Sequence, residues 1–284
     1  MPSSSPGIER AKPLLGTTVS MRVHGLQPAC AHAAIDAGFA AMRAIHEAMS
    51  FHECDSDVSR LNREAFDAPV EVRDATYAVI AHALAISAMT EGAFDITVAP
   101  LLVARGHLPR PPHAPDPDGA AIWRDIELLP EHCVRFRRRL WIDLGGIAKG
   151  YAVDRAMDAL QGFAPKQACV NAGGDLRIAG PDAERVRLDA DHGNDETVPI
   201  IALANGSLAS SEGRPAGPHI DPRCRAAETR QFVSVAAPRC IDADALTKVV
   251  MARGACSARS LAVFSAHAVV HDAAFGWREI RGHA

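Results

Sequence analysis

RLWIDLGGIAKGYAVDRAMDAL, residues 139–160, is the stretch from which the fold is read. It predicts a short strand over Leu140–Asp143, a turn at Gly145–Gly146 and a helix opening near Ile147. Ile147, Tyr151, Val153, Ala156 and Leu160 recur at roughly helical spacing. A strand that turns through glycines into a helix aims free backbone N–H groups and the positive end of the helix dipole at one point, which suits an anion, usually a phosphate. Lys149 in the first turn can add a point charge. The competing reading is a plain corner in which the glycines only ease the backbone, and the stretch alone leaves both open. Gly150 follows Lys149 where a P-loop needs Ser or Thr, and no G-x-G-x-x-G is present.

The rest of the chain supports a mixed α+β protein. A first strand is expected over Leu14–Val23, and residues 1–12 are read as irregular. An Ala-rich helix spans about 29–49, with Ile35, Phe39, Met42, Ile45 and Met49 on one side. Ser56 or Asp57 caps a short turn, and Asp74 is read as the N-cap of a second long helix closed by Gly92. FDITV (94–98) reads as strand-like. Residues 107–119 hold five prolines and predict an irregular loop. Short strands then follow: RDIEL, CVRF, LWIDL, QACVNAG, DLRIAG, VRLDA, VPIIALAN, GSLASS, QFVSVAA, LAVFSA, AVVHD and FGWREI. A helix over DADALTKVVMARG interrupts them.

Composition narrows the function classes. The 284 residues are 48% hydrophobic and 23% charged, with a net charge of -4. That balance gives no reason to expect nucleic acid or an acidic membrane surface. RFRRRL (135–140) reads as a solvated hairpin. The seven cysteines are odd in number and never form C-x-x-C, which argues against a disulfide framework and for a reducing compartment. The N-terminus shows no basic-then-apolar leader, and no apolar run is long enough to span a bilayer. The expected location is cytoplasmic, or periplasmic if a leader has been trimmed.

Small residues beside acids mark four further candidate segments: GAFDIT (92–97), VNAGGDL (170–176), GPHIDP (217–222) and CIDADALTKVV (240–250). Each has a local explanation in a turn or a cap, Asp242 being a credible N-cap. Together, carboxylates near glycine turns and helix starts suit a hard cation held with phosphates.

The same segments, in order, resemble the FAD:protein FMN transferases, the ApbE family. LLGTTVSMRV is similar to its opening strand and MSFHECDSDVSRLN to its Met-Ser segment. GAFDITVAPLL resembles its Gly-Ala-Phe-Asp-x-Thr motif, and IDLGGIAKGYAVD its most recognisable segment. VNAGGDLRIAG, SLASSEG, HIDP and ADAL follow in the family's order. The resemblance implies an ApbE-like α+β fold (T-fold-like), mixed sheets with packed helices around an FAD-binding cleft, as one domain over 1–284. It implies Mg²⁺-dependent transfer of FMN from FAD to a Ser or Thr hydroxyl of a target flavoprotein, with release of AMP. The alternative within the same scaffold is a relative that only binds FAD or hydrolyses it to FMN and AMP. By motif position, flavin contacts would come from Leu15, His52, Ala93, Phe94, Asp95, Asp143, Lys149 and Ile220. Metal ligands would be the Gly146 carbonyl, Asp244 and Thr247, and His219 and Lys149 would serve the reacting phosphates.

Four departures from the family pattern stand out. The family usually has a threonine four residues after the aspartate of Ala-Asp-Ala; here that position is Lys248, and Thr247 lies about 100° away round the helix. A lysine there can supply the cation's charge itself. His52 replaces an aromatic residue, Asp221-Pro222-Arg223-Cys224-Arg225 replaces Asp-Pro-x-Thr-Gly, and Trp-Gly is missing after Pro100. An unrelated class, a serine hydrolase using Ser210 or Ser211, Asp221 and His267, has the residue types but lacks G-x-S-x-G.

Overall fold

A computed structural model describes residues 7–188, 198–214, 217–224, 226–227 and 231–282. In chain order the first half holds β1 (Ile8–Leu14), β2 (Thr17–His24), α1 (Pro28–Met49), α2 (Asp57–Glu64), β3 (Val70–Glu71), α3 (Asp74–Met89) and α4 (Ala99–Ala104). The middle holds β4 (Ile126–Leu129), β5 (Cys133–Phe136), α5 (Ala148–Gln161), β6 (Gln167–Ala172), β7 (Asp175–Ala179), β8 (Glu184–Arg187) and β9 (Ile200–Leu203). The last part holds β10 (Gly206–Gly213), β11 (Ile220–Asp221), β12 (Ala226–Ala227), β13 (Gln231–Ala237), α6 (Cys240–Arg253), α7 (Ala258–Val263), β14 (His267–Asp272) and β15 (Gly276–Arg281).

The α+β class holds. Eight strands form one sheet in the order β1-β2-β6-β7-β10-β13-β14-β15, and all its described ladders are antiparallel. A small sheet β3-β5-β4 and the ribbons β8–β9 and β11–β12 stand apart. Alternation along the strands divides the sheet into two faces. Val19, Met21 and Val23 of β2 and Ala168, Val170 and Ala172 of β6 join the main core with Phe39 and Met42 of α1, Met157 of α5 and Leu246 of α6. Leu176, Ile178, Leu208 and Phe232 point the other way, into a smaller cluster with Leu188 and Leu203 beside the β8–β9 ribbon. On β7 this leaves Asp175 and Arg177 on the helix-covered face, where both meet α5.

Several local expectations are corrected. Residues 8–12 are not irregular: they belong to β1, an edge strand, where Pro13 needs no donor on its outer side. LWIDL is extended but joins no sheet, because the Asn62 amide takes the place of a neighbouring strand. Its Oδ1 accepts from Ile142 N–H at 2.8 Å and its Nδ2 donates to Ile142 C=O at 3.1 Å. FDITV is a 3₁₀ turn (Ile96–Val98), since Asp95 accepts from the Thr97 N–H and hydroxyl, both at 2.8 Å, and closes the chain locally. LAVFSA begins as the end of α7. Asp74 is the first helical residue of α3, with Arg73 at the cap position, and its carboxylate pairs with His132. Ser56 does cap α2, accepting from Ser59 N–H at 3.0 Å. The Pro-rich loop 107–119 holds neither helix nor strand. No described helix is long and apolar enough to cross a membrane, and the seven cysteines are free thiols.

Candidate functional site

The site is built where α5 and α6 cross. A Cβ on Gly150 would stand 2.3 Å from the Cys240 carbonyl oxygen and 2.7 Å from Asp244 Cβ, so only glycine permits this approach. Each helix then caps the other. Asp154 of α5 accepts from Cys240 N–H at 3.0 Å and Ile241 N–H at 2.9 Å, at the start of α6. Asp244 of α6 accepts from Gly150 N–H at 2.9 Å, in the first turn of α5. One expectation changes as a result: Asp242 is not the N-cap of α6, because Asp154 supplies the capping carboxylate from another helix. At the start of α5 the Gly150 N–H is taken by the protein's own Asp244.

Above this crossing lies a cleft of about 380 Å³. One wall is Ala93, Phe94, Asp95 and Ile96, positioned by Gly92 (φ 78°), whose left-handed backbone ends α3 and whose N–H bonds Ser87 C=O at 2.8 Å. The floor is Asp143, Gly145, Gly146, Lys149 and Lys248. Ser210, Ser211 and Glu212 of β10 and the turn Pro218–Ile220 close the far side. Eight expected site residues therefore converge from three segments: Ala93, Phe94, Asp95, Asp143, Gly146, Lys149, His219 and Ile220. Leu15 does not line the cleft; it sits at φ 54° in the two-residue β1–β2 turn and packs on the main core. His52 is exposed and also outside the lining. Arg225, part of the altered loop, lies outside the described residues.

The floor is a cluster of interlocked charges. Lys149 Nζ pairs with Asp175 at 2.9 Å, and Lys248 Nζ pairs with Asp244 Oδ1. Both carboxylates are 1% exposed. Burial, with Asp244 adding like charge, pushes Asp175 up to about 6, against the opposing pull of Lys149 and Lys248. Burial works against the charge of Asp244 too, but Lys248, Lys149 and the Gly150 N–H outweigh it and hold the carboxyl below its ordinary value. Lys149 is held above the usual lysine value: burial opposes its charge, and Asp175 and Asp244 more than offset that. Burial raises Asp95 and Asp143. For His219, burial first and the Lys248 ammonium second pull the imidazole down to about 4. It is neutral at pH 7.

The three implied metal ligands do not form an open donor set. Asp244 Oδ1 is taken by the Lys248 ammonium and Oδ2 by Gly150 N–H. The Thr247 hydroxyl donates back to Asp244 C=O at 2.7 Å and sits 2.8 Å from Ser211 Oγ, behind the cleft. The Lys248 stem covers Gly146. A divalent cation does not fit beside Asp244 as these side chains stand, and no group of three His, Cys, Asp or Glu able to hold a metal occurs among the described residues. The hydrolase residues are likewise scattered: Ser210 Oγ faces Ser234 Oγ at 3.0 Å, Asp221 pairs with Arg223, and exposed His267 lies on β14 opposite Ala236. Sequence reasoning did not place His107 in the cleft, whose buried Nε2 has no partner. It opens the Pro-rich loop, and a lone histidine there carries no pattern.

The family model described as ApbE family matches residues 15–270. The chain belongs to the ApbE family. Among curated relatives, the FAD:protein FMN transferase of Haemophilus influenzae is 28% identical over 61% of this chain and 55% of its own length. That of Vibrio cholerae is 31% identical over 50% and 45%. The chain thus spans about half the length of these two relatives, whereas a Klebsiella pneumoniae FAD:protein FMN transferase matches at 26% identity over 84% and 77%. The solved ApbE protein of Thermotoga maritima superposes with a TM-score of 0.80 at 26% identity, covering 93% of this chain and 94% of its own. The Vibrio cholerae flavin transferase ApbE, as a mutant, shares the fold at a TM-score of 0.83 and 23% identity. The ApbE fold expected from the segment order is the fold observed.

Proposed function

We propose that this ApbE-family chain transfers FMN from FAD to a Ser or Thr hydroxyl of a target flavoprotein and releases AMP. The observation that supports this most is the convergence of four sequence-distant segments on one cleft whose floor presents two ammonium groups, Lys149 and Lys248. An apolar wall with Phe94 beside a cationic floor suits a flat ring system joined to a diphosphate.

In the reaction the acceptor hydroxyl oxygen attacks the FMN-side phosphorus of the FAD diphosphate and forms the new phosphoester. The bond from that phosphorus to the bridging oxygen breaks, and AMP leaves with the electron pair. The hydroxyl proton passes to His219, which is neutral in the cleft. A pKa of about 4 makes it a weak base, but bound diphosphate offsets the nearby ammonium charges and raises it toward the working pH. Lys149 and Lys248 counter the charge that spreads over the phosphoryl oxygens. No step is assigned to Mg²⁺, because Lys248 fills the donor set it would use. Hydrolysis to FMN and AMP is the same displacement with water as the nucleophile.

The test is incubation of the purified protein with FAD, following AMP by chromatography, with and without flavoproteins from the same source as acceptors. AMP release matched by covalent flavin fluorescence on an acceptor is expected. AMP with free FMN only would replace transfer by hydrolysis. Absence of AMP under every condition would leave a flavin-binding protein and overturn the reading.

A further inference from the structure

The Asp244–Lys248 pair differs from an ordinary i,i+4 helix pair in three respects. Its acid is almost completely buried, its ammonium lines the cleft, and its stem lies across a glycine of a different segment. A Cβ built on Gly146 would stand 3.6 Å from Lys248 Cε and 4.0 Å from Cδ. The ammonium also lies 3.1 Å from the Asp244 carbonyl oxygen, so two oxygens of one residue hold it. Lys248 therefore fills the space between Gly146 and Asp244. A Mg²⁺ ion bridging them at about 2.0–2.1 Å would have to expel the ammonium and leave two like charges facing one another at close range.

We propose that Lys248 is the resident cation of this site: its ammonium, anchored by Asp244, neutralises the diphosphate of FAD, so that FAD binds without a divalent metal. The inference rests on the reading that the cleft takes FAD. Asp244 and Asp175 lie buried behind their lysines, so each pair presents its positive end to the cleft. A covalently tethered ammonium is present at all metal concentrations. It carries one charge where the ion carries two, and Lys149 beside it supplies the second.

The experiment measures FAD affinity by isothermal titration calorimetry in EDTA and in excess MgCl₂, for the wild type, K248M and K248T, with thermal melting to confirm folding. The wild type is expected to bind equally in both buffers, and K248M to lose about tenfold or more in EDTA. K248T puts a hydroxyl four residues after Asp244 and frees its Oδ1. It is expected to bind poorly in EDTA and to recover with Mg²⁺, a recovery that also shows the variant is folded. Wild-type binding that requires Mg²⁺, or folded K248M with undiminished affinity in EDTA, would overturn the proposal, as would no FAD binding by the wild type in either buffer. Metal-independent, Lys248-dependent binding without AMP release in any assay would support this inference while sinking the transferase reading.

Discussion

Asp242 and Asp244 lie two residues apart on α6, about 200° round the helix from one another, and the chain uses them oppositely. Asp242 faces α3. His82 Nε2 meets its Oδ1 at 2.6 Å, and Arg239 donates to Oδ2 at 2.8 Å and to Oδ1 at 2.9 Å. Those groups hold its carboxyl below the usual range despite burial, and none of them lines the cleft. Asp244 is as deeply buried, yet its partner lysine opens onto the cleft and its other oxygen caps a second helix. Both clusters are satisfied networks of buried charge. What separates a tie from a site is whether the counter-charge has a second surface on which a ligand can act.

The sharpest way to break this contrast is Asp244→Asn. It removes the charge that anchors Lys248, so AMP release from FAD is expected to vanish, with a stability loss of about 3 kcal/mol in urea unfolding. Wild-type turnover in this variant would take Asp244 out of the chemistry.

His219 comes next. Its folded pKa of about 4 lies below the ordinary 6.5, so the unfolded chain binds more protons between those values. Stability should therefore fall as pH drops from 6.5 toward 4 and level off below, by roughly 3 kcal/mol in all. His219→Gln should flatten that limb of the unfolding profile and slow AMP release more than it weakens FAD affinity. An unchanged limb would place the acid sensitivity elsewhere.

Gly150→Ala drives a methyl into the Cys240 carbonyl and pushes α5 from α6. A loss of roughly 1–3 kcal/mol is expected, together with weaker FAD binding, because both lysines hang on this crossing. Melting and titration of the same sample give the two numbers. Asp242→Asn should do least, about 1–2 kcal/mol of stability with FAD affinity unchanged. A large fall in affinity would show that the two aspartates are not separate systems.

Much of this was legible in the sequence, for identifiable reasons. The long helix α1 announces itself by spacing, α3 by the Asp74 and Gly92 that bracket it, and most sheet strands by alternation between turn residues. The misreadings came where a side chain did the work of backbone. The Asn62 amide pairs Ile142 as a strand would, Asp95 folds FDITV into a 3₁₀ turn, and Asp154 caps a helix 86 positions further along the chain. No local window contains those partners. The site shows the same division. Motif order located Phe94, Asp95, Asp143, Lys149 and His219, whereas the Lys248 stem over Gly146 and the turn of His107 into the cleft depend on distant packing.

The order of the large sheet governs how the chain must be assembled. The β1–β2 hairpin forms one edge, and its inner strand pairs with β6, Val19 opposite Ala172. During synthesis that hairpin emerges early and waits with an unpaired rim while α1 to α5 are made. Closing so long a loop is slow, and an open strand rim is a template for pairing with other chains. Newly made protein is therefore most exposed to aggregation and to chaperone capture before β6 leaves the ribosome.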